Sequence, residues 1–251
     1  MKISMLLSAL ILAFSNLAFA KELVLTSENT VTLRGPVTPS SVGEVMHELS
    51  AVSQQGEASA PIYLVLNTPG GSVMAGVELM NYVNTLRRPV HAVAVFAASM
   101  GFHILQNSPI RFVTELGTIM SHRANGSTGG DIPQQVDSRL NYIKSLLEKM
   151  DQRVISRTSG KHTKESYTEL IRDEYWAVGN NAVKDGFADE TVSLKCDESL
   201  NGTTDRQVQI MFFVVNIKFS KCPLITQPLV ENAKDYLQVI NYLNQKRTME
   251  F

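Results

Sequence analysis

The sequence carries almost no excess charge: 23 Lys and Arg against 24 Asp and Glu leave a formal net charge of −1 over 251 residues. That balance gives no basic footprint, so nucleic acid is not an expected partner. Low-complexity tracts and internal repeats are missing as well. Cysteine is scarce. Cys196 and Cys222 are the only two, and with no histidine near either they do not read as a metal site. Beyond the first twenty residues no stretch reads as a membrane span, since Val208 to Phe219 is interrupted by Gln209, Asn216 and Lys218. What the chain does have is 44% hydrophobic content, enough for one good core, as a single domain or a domain with an appendage.

The N-terminus reads as a targeting segment. Lys2 is a short positive start, Met5 to Phe14 is apolar but short for a bilayer, and Ala18-Phe19-Ala20 is a small-x-small pattern. Residues 1–20 are therefore expected to be a signal peptide cleaved before Lys21, with an uncleaved anchor as the competing reading. No cysteine follows the apolar stretch, which removes lipoprotein anchoring. Export to a periplasmic or extracellular space makes a Cys196–Cys222 disulfide the expected state, two free thiols being the alternative. The bridge would close a loop of about 25 residues, worth roughly 3 kcal/mol.

The remaining chain alternates strand and helix signals. Thr30 to Arg34 alternates as a strand and stops at Gly35-Pro36, and Ser40 and Ser41 are capping candidates for a helix with Val42, Val45, Met46, Leu49 and Val52 on one face. Ile62 to Leu66 is a continuous apolar run of the doubly buried kind, broken by Asn67-Thr68-Pro69-Gly70-Gly71-Ser72. A second amphipathic helix carries Val73, Val77, Met80, Val83 and Leu86. A third strand, Val90 to Phe96, then runs into Ala97-Ala98-Ser99-Met100-Gly101 and a helical stretch. Short connections of this kind predict parallel βαβ units, whose ligands sit at the carboxyl ends of the strands. Both the Gly-Gly turn and Ser99 fall at that edge.

Taken alone, a serine between strand and helix is a helix cap. In the positive field of a helix N-terminus, flanked by small residues, it also suits a nucleophile. The Gly70-Gly71 turn exposes backbone N–H groups, and it is not a phosphate loop because its glycine spacing is wrong and no lysine follows. Thr118 to Ser121 is a short strand ending in His122. His103, one helical turn after Ser99, reads as packing beside the helix. A long amphipathic helix is expected from about Pro133 to Thr158, with Val136, Leu140, Ile143, Leu147, Met150 and Val154 on one face. Its length is more than this domain needs and points to packing against another subunit.

In order along the chain, these motifs resemble the ClpP-type serine peptidases, the proteolytic subunits of the Clp protease family. Asn67-Thr68-Pro69-Gly70-Gly71-Ser72-Val73 with Ala75-Gly76 is similar to the family's oxyanion turn, and Ala97 to Gly101 to its nucleophile motif. Met120-Ser121-His122 is similar to its histidine strand. Asp173-Glu174-Tyr175-Trp176, with Ala182-Val183 and Gly186-Phe187-Ala188-Asp189, is similar to its acid-bearing segment. The resemblance covers roughly Thr30 to Val192. It implies an α/β, ClpP/crotonase-like spiral of ββα units with a projecting long helix, and a C-terminal extension beyond the resemblance.

The domains are then residues 1–20 as signal peptide, 21–195 as peptidase and 196–251 as extension, the last with a strand-like Val208–Phe219 and a final helix through Leu229, Ala233, Leu237, Ile240 and Leu243. The implied site is a Ser99–His122–acid triad with an oxyanion hole from the N–H groups of Gly71 and Met100. Ungapped counting puts the acid on Glu174, with Asp173 one residue away. No metal and no cofactor are implied. The expected partners are a peptide or unfolded-protein substrate and further copies of the chain, a ring among the possibilities. An exported chain with little room for a docking segment is not expected to work with an ATPase. A crotonase-like acyl-CoA enzyme, a Ser–Lys peptidase and an inactive oligomeric scaffold are the competing readings. Ser99 with His122 argues against the first, and the absence of a matching lysine argues against the second.

Overall fold

Apolar strands that alternate with amphipathic helices have to bury two surfaces at once, and the sheet is where both meet. In a computed structural model that describes residues 20–126, 130, 131, 133–210, 213–229 and 237, the strands are β1 (Lys21–Leu25), β2 (Thr30–Arg34), β3 (Ile62–Thr68), β4 (Val90–Ala98), β5 (Arg111–Ser121), β6 (Tyr175–Val178) and β7 (Glu190–Cys196). They form one sheet in the order β1-β7-β5-β4-β3-β2, every neighbour on that path parallel, with β6 antiparallel to β5. This is the expected mixed α/β, ClpP-type architecture. Residues 1–19 of the segment expected as a signal peptide, and most of the expected final helix, lie outside the described residues.

The helices α1 (Pro39–Ser53), α2 (Val73–Val83) and α3 (Met100–Asn107) lay their apolar stripes on one face of the sheet. Thr38, not Ser40, caps α1: its side chain accepts from the Ser41 N–H and Ser41 answers as the third residue of a capping box. Arg88, after α2, is buried and donates to the carbonyls of Val52, Gln55, Ala60, Pro61 and Glu28. It thereby satisfies carbonyls that the end of α1 leaves without a helical partner.

Alternation along a strand puts Val65 and Val93 on the opposite face from Leu64, Leu66, Ala92 and Ala94. There they join Leu23, Leu25, Phe112, Val192 and Leu200 in a second, smaller core, with Cys196 and Cys222 against it. The two cysteines are bonded, with Cα atoms 5.8 Å apart. Between them in sequence lies an antiparallel hairpin of β8 (Thr203–Ile210) and β9 (Phe213–Ser220), so the expected single strand over 208–219 is two strands. The Phe219 ring is buried under the Arg34 guanidinium, 4.8 Å from its centroid.

The long helix, α4 (Gln134–Ser156), packs its C-terminal half on the core through Met150 and Val154, while farther out Tyr142 Oη donates to Met74 Sδ of α2 at 3.6 Å. Leu140, Tyr142 and Ile143 on its outer half are exposed. α5 (Lys164–Leu170) and α6 (Asn180–Lys184) follow it in the chain. The Arg111 side chain, on β5, is buried with 3% exposure and ties together α3, the end of α4 and the loop between α6 and β7. It pairs with Asp189, donates to Gln106 Oε1 at 2.7 Å, and reaches the carbonyls of Gly186 and Arg157.

Burial pushes the Asp189 carboxyl up, but the hydrogen bonds and charge of Arg111 outweigh it and hold the group below the usual aspartate value. A carboxyl with a depressed folded-state pKa stabilises above its unfolded value, near 4, and that stabilisation is lost as pH falls through the folded one. Asp189→Ala should cost about 2 to 3 kcal/mol at pH 7 by stranding the Arg111 charge, the lower end applying because Asp189 keeps 36% side-chain exposure. Urea unfolding at pH 7 and at pH 3 checks this, since the gap between wild type and variant should narrow at the lower pH.

Candidate active site

Parallel pairing of β4 with β5 sets the site. Ala98 is in register with Met120, so the residues just beyond, Ser99 and His122, leave the sheet side by side. The Ser99 N–H still donates to Met120 O at 2.9 Å, as a strand residue would. Its carbonyl already accepts from Phe102 and His103 N–H, as the residue before a helix would. Meeting both demands in one residue forces φ 53° and ψ −117°, backbone that L side chains rarely adopt. The same turn recurs between β6 and α6 with φ 50° and ψ −125°, and there the residue is Gly179.

Ser99 occupies the cap position of α3, yet its side chain makes no capping bond. It is hydrogen-bonded instead to His122 Nε2 at 2.8 Å. His122 is steadied from behind: Ser121 Oγ is 2.8 Å from Tyr167 Oη in the core, a link the sequence pattern did not reveal.

The Gly-Gly turn presses on this corner. Gly70 has φ 95°, and a Cβ there would stand 2.6 Å from Ser99 Cβ and 2.8 Å from Met100 N. Its carbonyl accepts from Val37 N–H at 2.7 Å, and Ser72 N–H donates to Val37 O at 2.8 Å, which leaves Gly71 N–H between them unused. Among the described residues, neither Gly71 N–H nor Met100 N–H has an acceptor. The expected Ser99, His122, Gly71 and Met100 thus sit on segments in mutual contact.

The acid is where expectation and geometry part. Asp173 is salt-bridged to Arg172 at 2.9 Å, and Glu174 Oε2 accepts from Trp176 Nε1 at 3.1 Å. Among the described residues, neither carboxylate bonds to His122. The antiparallel pairing, Met120 with Trp176 and Ser121 with Tyr175, ends one residue short of both His122 and Glu174, so these are the next residues on their two strands. Glu174 also has a positive φ of 68°. Trp176, which holds it, was not expected as a site residue. The signal was present only as an aromatic two residues after the glutamate on the exposed side of a strand.

His103 faces a small cavity between α2, α3 and α4. Burial, with the charge of His122 adding to it, pushes its pKa down to about 4, so the ring is neutral at pH 7. Among the described residues no three His, Cys, Asp or Glu side chains converge as metal ligands.

These features define an α/β protein with a Ser–His pair at the carboxyl edge of a parallel sheet. The Clp protease family model matches residues 18–195, and the chain belongs to that family. It is similar to the ATP-dependent Clp protease proteolytic subunit of Streptococcus gordonii, 30% identical over 174 residues that cover 67% of this chain and 87% of the relative. The subunit of the same name from Streptococcus mutans is 31% identical over 171 residues, 66% and 85% of the two chains. That from Streptococcus pneumoniae is 30% identical over 185 residues, 70% and 89%. The family match stops one residue before Cys196.

Glycine at position 70 is a geometric requirement, and that is testable against a neutral control. Gly70→Ala should destabilise by about 2 kcal/mol or more and displace Ser99, because φ and contact both oppose a Cβ. Gly43→Ala, inside α1 with nothing within 4 Å of the added carbon, should be neutral or stabilising by up to about 1 kcal/mol. Thermal unfolding of the two variants measures the contrast.

Proposed function

We propose that the chain is an exported, ATP-independent serine endopeptidase acting on peptides or unfolded proteins. The observation that carries this is the 2.8 Å Ser99–His122 bond on a serine held in strained backbone. In this reading Ser99 Oγ attacks the peptide carbonyl while His122 Nε2 takes its proton. The C–N bond then breaks as His122 returns that proton to the leaving amine, and water attacks the acyl-enzyme with His122 again as base. Gly71 and Met100 N–H groups stabilise the oxyanion, each such donor typically worth about 3 kcal/mol. Glu174 turns from Trp176 Nε1 to His122 Nδ1 to hold the imidazolium, which its place next to the end of the β5–β6 pairing favours over Asp173. The reaction needs neither metal nor cofactor.

The disulfide supports an oxidising destination and, with the leader-like residues 1–20, the exported reading. The family match over 18–195 supports dividing the chain into a peptidase domain to residue 195 and an extension from Cys196. The relatives are subunits by name, and the exposed Leu140 and Ile143 on α4 suit contact with further copies of this chain, a ring included. A second reading, an inactive oligomeric scaffold that binds peptides, draws on one observation: both candidate acids are engaged elsewhere.

A fluorophosphonate probe separates the two. The mature protein should label at Ser99 and cleave unfolded substrates without ATP, Ser99→Ala should abolish both, and His122→Ala should slow labelling by about a thousandfold or more. Glu174→Gln should lose most of the cleavage rate while Asp173→Asn keeps it. No labelling and no cleavage by the wild type would leave the scaffold reading.

A further inference from the structure

The cavity beside His103 has a volume of about 170 Å³ and begins one helical turn from Ser99. Met100, the residue after Ser99, packs its side chain against Gly76 of α2, and the next turn of α2 supplies Val77 and Met80 to the cavity wall. Met150 of α4 closes the apolar side. His103, on the helix that Ser99 heads, lines the cavity on the side of the site.

The rim is of one sign. Lys149 and Arg153 of α4 stand over the opening, and the lining contains no carboxylate. Arg153 Nη1 donates to Asn107 Oδ1, which fixes the guanidinium there, and Asn107 is itself held by its Nδ2–H to Met80 O at 3.1 Å. Lys149 is exposed and has no hydrogen bond or ion pair among the described residues. Apolar walls under a cationic rim suit methylenes that end in an anion and oppose a basic side chain.

We propose that this cavity receives a carboxylate carried by the substrate next to the scissile bond, its methylenes against Val77, Met80 and Met150 and its oxygens at Lys149 and Arg153. The carboxylate belongs either to an acidic side chain or to the peptide's own C-terminus. The inference rests on the serine-peptidase reading above.

The test uses matched peptides with glutamate or glutamine at one internal position, each with a free or an amidated C-terminus, with products identified by mass. Because the rim is solvated, the gain for glutamate should be about fivefold or more in kcat/KM, mostly through KM. Lys149→Glu should erase or reverse that order, and Lys149→Gln should fall between and serve if the reversal disturbs the fold. A gain that vanishes on amidation assigns the site to the terminal carboxylate, and one that survives amidation assigns it to the side chain. Equal rates for all four peptides, on protein that fluorophosphonate labels, overturn the carboxylate site and leave the peptidase reading standing. Absence of labelling overturns both.

Discussion

The pairing of Ala98 with Met120 is the constraint on which the site depends. Two parallel strands end together there, and the residues that leave them have nowhere to go but toward each other. The register is not uniform along the pair: Ala94 is opposite Val113 but Phe96 is opposite Thr118, so β5 carries an excursion that β4 lacks. Leu116, at the tip, is 83% exposed. The excursion returns to the sheet at Gly117, whose carbonyl accepts from Gly179 N–H at 2.8 Å. Without it His122 would arrive late at the sheet edge, and the 2.8 Å contact with Ser99 would not form. A bulge that re-aims a side chain beside a site is a familiar use of such irregularity.

Strain at Ser99 makes sense in the same frame. Gly179 makes the same turn at a second strand–helix junction without carrying any side chain into the site. A side chain at such dihedrals costs of order 1 to 3 kcal/mol, which a purely structural turn avoids by using glycine. At Ser99 the cost is offset by the surrounding lattice of Met120 O, Gly70 and the first turn of α3, each of which fixes one side of the residue.

Much of this was legible in the sequence because the signals were local. Continuous apolar runs announced β3 and β4, and the glycine and serine turns announced the sheet edge. The β1 strand was not legible: Lys21–Leu25 is short, carries two charges at its start, and is made a strand only by pairing with β7. The α1 cap fell on Thr38 because Pro39 takes the first helical position, where its missing N–H is harmless. The split of residues 208–219 into two strands was hidden because nothing in its composition marks a turn. The partners of the two acids were hidden for a different reason. Glu174, Asp173, Arg172 and Trp176 are neighbours on an exposed edge, and which of them pair is decided by rotamers that no spacing rule encodes.

The β1–β7 pairing has a consequence for the order in which the molecule can assemble. Lys21 lies beside Val192 and Leu25 beside Cys196, so the first strand of the described chain cannot find its place until the last strand of this sheet exists. Contacts this distant in sequence carry a high loop-closure cost and form late. The rest of the sheet can pair progressively as the chain emerges, while its N-terminal strand stays loose. Cys196 ends that final pair, so oxidation with Cys222 seals the one edge that closes last. A chain wired in this way keeps its leading end free through most of synthesis and becomes a finished domain only when its tail arrives.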